Sequence, residues 1–143
     1  MNLAFSTALL LALLTAGCAG ATSPTAPPPT IAPAAITDTF SGTLVTQTQN
    51  SHNFIVSVTG LIAVTLTAAG PLPETPVGIG IGIPSGFGCS LSLGTGSFAT
   101  VQAASVAQIT GTAIPGTFCL SVYDPDPVTS EDPVDYTITV AHS

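Results

Sequence analysis

The sequence contains no lysine and no arginine in 143 residues, against 7 Asp+Glu and 2 His, a formal charge of −7. No side chain is therefore available to neutralise phosphate, which excludes strong binding along a nucleic-acid backbone. Anionic membrane surfaces are poor electrostatic partners for the same reason. Charged residues of both signs together make up 5 %, where a soluble domain averages about 25 %. Solubility must come from hydroxyls, and Thr and Ser recur along the whole chain. A hydrophobic content of 45 %, with 13 Pro and 14 Gly, fits one globular domain plus a flexible segment and leaves little room for a second core.

The first strong feature is an apolar run from Leu3 to Leu14 (LAFSTALLLALL). It is too short to span a bilayer comfortably and is followed by small residues, the layout of a cleaved secretory signal. Next comes Leu14-Thr15-Ala16-Gly17-Cys18, which resembles the lipobox of bacterial lipoproteins. Small residues there precede a Cys that is diacylated and becomes the mature N-terminus. The resemblance implies a signal peptide over 1–17, lipidation of Cys18 and a membrane partner reached through the lipid. More than one acyl chain, at about 0.8 kcal/mol per buried CH₂, gives stable anchoring. Ala19 and Gly20 follow the Cys where retained inner-membrane lipoproteins of Gram-negative cells carry Asp, so the resemblance implies an outer-membrane location in the cell envelope. Residues 18–35 include Pro24, Pro27, Pro28, Pro29 and Pro33 with Ile31 as the one large apolar side chain, a tether unable to build a core.

From Ile36 onward the pattern becomes period-two alternation. Phe40 and Leu44, then Phe54, Val56 and Val58, then Ile62, Val64 and Leu66 each share a parity, with Asn50 to Asn53 and Thr59-Gly60 supplying turns between them. Val77 to Ile83 (VGIGIGI) places isoleucines on one face and Gly78, Gly80 and Gly82 on the other, so that face admits close approach of another backbone. Cys89 to Leu93, Gly116 to Tyr123 and Val134 to Val140 read as further strands, and Ser97 to Gly111 as a loop leading into one. The sum, about eight strands over 36–143 without a convincing helix, predicts an all-β fold, an antiparallel β-sandwich. The succession FSGTL, NFIVSV, GLIAVTLT, VGIGI, GTFCLSVYD and DYTITV resembles the bacterial pre-peptidase C-terminal (PPC) domain over nearly all of 36–140. That resemblance implies a jelly-roll-like sandwich serving as an accessory module of exported proteins. Its motifs are packing motifs, informative about fold and poor in function.

Chemistry-bearing residues are few. With Cys18 given to lipid, Cys89 and Cys119 remain as a pair in an exported chain and are expected to form a disulfide. Cys119 has outward parity beside Phe118 and Leu120, whereas Cys89 shares parity with Leu91 and Leu93, so a bulge or strand end at Cys89 is needed to join them. Asp124, Asp126, Glu131, Asp132 and Asp135 crowd the connection between the last strands. Their density suggests a Ca²⁺ site, since calcium takes about 6–8 oxygens. The alternative is a solvated acidic loop that supplies charge to an otherwise uncharged surface. His52 sits in a polar stretch that reads as a hairpin loop, and His142 at the C-terminus, and neither reads as a ligand or base. No nucleophile elbow and no supported dinucleotide motif is present. The expectation is a non-catalytic accessory or binding module without a cofactor, its ligand an envelope glycan or protein. A purely structural envelope protein, a calcium-dependent binding module and a small hydrolase are the alternatives.

Overall fold

The computed structural model describes residues 35–86, 88–91, 96–125 and 132–143. Nine strands follow in chain order: β1 (Ile36–Leu44), β2 (Gln49–Val56), β3 (Gly60–Ala69), β4 (Val77–Ser85), β5 (Gly88–Ser90), β6 (Phe98–Val101), β7 (Ile109–Ala113), β8 (Gly116–Tyr123) and β9 (Val134–His142). No helix occurs among the described residues. One sheet has the order β1-β9-β3-β7 and the other β2-β8-β4, with β5 and β6 both paired to β4. All pairs are antiparallel. Successive strands β1 to β4 alternate between the sheets, which is the path of a jelly-roll sandwich.

The alternation read from the sequence places the core. Phe54 and Val56, Ile62, Val64 and Leu66, Val77, Ile79 and Ile81, Phe118, Leu120 and Val122, and Ile138 and Val140 all point between the sheets and are buried. The outward positions of the four-stranded sheet are hydroxylated. Each of its strands carries a Thr-x-Thr pair, Thr37/Thr39, Thr65/Thr67, Thr110/Thr112 and Thr137/Thr139, exposed or half-buried. β-branched residues suit the pleated surface, and their hydroxyls wet it without charge.

Several local expectations are corrected. Asn50 to Asn53 is no turn: those residues lie inside β2, paired to β8. Thr59-Gly60 makes no hairpin either, because β2 and β3 belong to different sheets and the chain arches from one to the other. The strand expected over Cys89 to Leu93 is the short β5, Gly88–Ser90. The ninth strand, β6, falls in the stretch taken as a loop. Its small Ala99 and exposed Phe98 blurred the alternation.

Strand β4 explains the disulfide. Its outward glycines carry the chain that follows: a Cβ on Gly78 would run into the Tyr123 ring, on Gly80 into Leu91, and on Gly82 into the backbone carbonyl of Ser90. Strand β5 thus lies against the outer face, and Cys89 meets the outward-pointing, fully buried Cys119 in a disulfide of Cα–Cα 5.6 Å. The parity conflict is resolved by backbone approach over glycine.

Gly82→Ala is therefore expected to destabilise the fold by about 2 kcal/mol or more, since the obstructing atoms are backbone. Gly111→Ala, whose Cβ would meet only an Ile62 methyl at 3.9 Å, should change stability by less than about 1 kcal/mol. Urea unfolding of the oxidised proteins measures both, and equal midpoints would show that β5 does not press on β4. Cys119→Ala opens a loop of sequence separation 30 and should cost roughly 3–4 kcal/mol.

Candidate functional site

On the side where edge strands β1 and β2 face each other, the inward parity of β2 continues from Phe54 back through His52 to Asn50, so polar side chains enter the sandwich. His52 is half-buried, stacks on Phe40 at a centroid distance of 4.9 Å, and its Nε2 lies 2.8 Å from the Tyr136 hydroxyl. Asn50 Nδ2 donates to the same hydroxyl at 3.0 Å and to the Thr43 carbonyl at 3.0 Å. Gly42 makes room for the phenol, whose Cζ lies 2.8 Å from where a Cβ would stand. The phenol oxygen thus bridges Asn50 and His52, the His52 tautomer setting which of the second pair donates. Burial lowers the His52 pKa from 6.5. Burial likewise raises the Tyr136 pKa, partly offset by the Asn50 hydrogen bond.

One strand end away, His142 is buried, and its Nε2 lies 3.0 Å from the Asp38 carboxylate. This is a base with an orienting acid. Its other nitrogen, Nδ1, is buried and has no hydrogen-bond partner among the described residues, while its ring packs on Phe54 of β2 at a centroid distance of 5.5 Å. Both histidines thus serve the closure of the β1–β2 side, a role hidden when His52 was read as a loop residue.

A second polar constellation sits at the end of the sandwich where β1 turns into β2. Thr48 closes the turn: its hydroxyl donates to the Val45 carbonyl at 2.6 Å and accepts from the Val45 N–H at 3.1 Å. Gln47 has φ 59°, a left-handed conformation that costs a side-chain-bearing residue roughly 1–2 kcal/mol. Its N–H is held by the Asp124 carboxylate at 3.3 Å. Next to it opens a groove of about 450 Å³ lined by Gln47, Thr48, Gln49, Leu91, Tyr123 and Asp124. Nothing in the linear spacing joins these residues; the β2–β8 register does, by setting Gln49 opposite Tyr123.

Of the acidic residues, Asp124 and Asp132 line one small cavity with Leu44, Thr46 and Val134, and Asp135 lies apart from them. Asp124 engages Gln47, Asp135 accepts the Thr43 hydroxyl at 2.6 Å on the outer face of the four-stranded sheet, and Asp132 is exposed. No group of three or more His, Cys, Asp or Glu able to hold a metal occurs among the described residues. Asp126 and Glu131 lie outside those residues, as does Cys18. Compared with models of known protein families the chain matches none, and no curated protein is significantly similar to it.

The His52 geometry makes stability depend on pH with a defined sign. Phe40 and Tyr136 face the imidazole, and no carboxylate is among its contacts with the described residues. Below about pH 6.5 the unfolded chain takes up a proton that folded His52 resists, so stability falls as pH drops and levels off once the folded imidazole is also protonated. Urea unfolding at about pH 7.5 and 5.5, above the main carboxylate range, should show this loss in the native sequence and a smaller one in His52→Gln.

Proposed function

We propose that the chain is an exported lipoprotein, acylated at Cys18 and held at the outer membrane of the cell envelope, that displays a non-catalytic accessory sandwich of the PPC kind. The observation that carries this reading is the Cys89–Cys119 disulfide. Disulfides persist in oxidising compartments, and this one uses both cysteines of the sandwich, leaving Cys18 of the three in the sequence for lipid. The jelly-roll order of the strands supports the PPC resemblance. The surface, hydroxylated and nearly free of charge, suits an envelope glycan or protein as ligand.

The test is metabolic labelling of the full chain with an alkyne fatty acid, followed by membrane fractionation. The native sequence is expected to carry label and sediment with membranes, and Cys18→Ser to lose both properties. Unlabelled, soluble native protein would remove the lipoprotein reading.

In this reading the acidic stretch from Asp124 to Asp135 is a solvated loop that supplies charge. Thermal melts of the full chain in excess Ca²⁺ and in EDTA should then coincide. Ligand at a hundred times its dissociation constant would add about 2.7 kcal/mol, a shift of roughly ten degrees in a domain of this size. Such a shift, abolished by Asp124→Asn and Asp135→Asn, would make the loop a calcium site.

A further inference from the structure

We infer that the groove between the β1–β2 turn and the outer face of β8 binds a neutral sugar ring, with Tyr123 as the stacking platform. This rests on the reading of the sandwich as a binding module and names its ligand class. Tyr123 has outward parity on β8 and lies over Gly78 of β4, so one face of its ring rests on bare backbone while the residue also borders the groove. Leu91, laid over Gly80 in the same way, continues the apolar floor. An aromatic face set flush with a sheet, beside an aliphatic side chain, matches the C–H face of a pyranose, whose polarised hydrogens meet the negative face of the ring.

The rim supplies the other half of the recognition. Gln47 and Gln49 present exposed amides, each both donor and acceptor, which is what a ring edged with hydroxyls requires. Among the described residues that line the groove, the one charged side chain is Asp124, whose carboxylate is already engaged by the Gln47 N–H. With no Lys or Arg anywhere in the chain, an anionic ligand has no counter-charge, and a neutral glycan fits where an acidic one does not. The volume, about 450 Å³, lies in the range of ligand sites.

A third observation is independent of the lining chemistry. Gln47 holds φ 59° where Gly or Asn would be the ordinary occupant of a left-handed position. Strain of this kind concentrates at functional sites. Here it sets a long amide at the groove mouth, and the Asp124 carboxylate fixes the turn that carries it.

The absence of Trp leaves Tyr123 and Tyr136 as the tyrosine fluorophores, and Tyr136 is buried. The full chain in mild detergent is titrated with chitotriose, cellotriose and maltotriose, following tyrosine emission and confirming by calorimetry. Saturable binding of at least one sugar is expected. Tyr123→Ala should weaken it about tenfold or more, and Tyr123→Phe, which keeps the ring, much less. Gln47→Gly should weaken binding while leaving the melting temperature unchanged or raised, a combination that a folding defect cannot produce. Failure of all three sugars to bind overturns the inference, and so does binding that Tyr123→Ala and Gln47→Gly leave intact. The second outcome keeps the binding-module reading and moves its site elsewhere; lipid labelling of Cys18 tests the envelope reading separately.

Discussion

Strand β4 has to satisfy opposite demands on its two faces, and the rest of the molecule follows from how it does so. Inward, Val77, Ile79 and Ile81 fill the core against the other sheet. Outward, the alternate positions are glycine, so backbone and side chains that follow in the chain settle directly on the sheet. A larger residue at Gly82 would lift Ser90 and separate Cys89 from Cys119, and one at Gly78 or Gly80 would displace Tyr123 or Leu91. The crosslink and the floor of the groove therefore share one cause. Glycine in a strand costs conformational entropy and packing, and here the cost is offset by contacts on a face that would otherwise be open to solvent.

The opposite problem arises where β1 and β2 form the edges of their sheets. An exposed, neutral edge strand invites pairing with another chain. Inward-pointing polar groups blunt that tendency, and both edges carry them: Asp38 on β1 with His142 of β9, and Asn50 and His52 on β2 with Tyr136 of β9. These groups sit in the sandwich yet satisfy one another, so their burial does not carry the penalty of an unmatched polar atom. The exception among them is His142 Nδ1. The aromatic stacking of Phe40 on His52 joins the two sheets across the same gap.

Period-two alternation made the fold class and most of the core legible in the sequence, because residues such as Ile62, Val64 and Leu66 differ sharply from their neighbours in hydropathy. It failed where side-chain size or polarity ran against position. β6 was missed because Ala99 and Val101 are partly buried while Phe98 is exposed. His52 and Asn50 were taken for loop residues because polar side chains occupy inward positions; extending the parity of Phe54 and Val56 backward would have found them. The stretch after β6 is irregular but pinned. Gln108 accepts the Leu66 N–H at 2.9 Å and donates to the Gln102 carbonyl at 3.0 Å, standing in for a strand on the edge of β3. A single glutamine doing the hydrogen bonding of a ladder leaves no periodic trace. The groove was invisible for another reason: its residues come from separate stretches of chain, and only register joins them.

The placement of that groove follows from the direction of β1. The described chain enters the sandwich at Ile36, the start of β1, which pairs with His142 at the end of β9. β1 then runs 9 residues to Leu44, a rise of roughly 27 Å at about 3.4 Å per residue, and the turn that forms the groove rim follows at once. The groove therefore lies at the end of the sandwich remote from Ile36 and His142. Asp124 and Asp132 lie at that same remote end, beside Leu44 and Thr46, so its charge is negative and unbalanced by any Lys or Arg. Polyanions would be repelled from it and neutral hydroxylated surfaces would not. The sign of the groove's surroundings thus agrees with the neutral ligand proposed for it, and does so on charge alone.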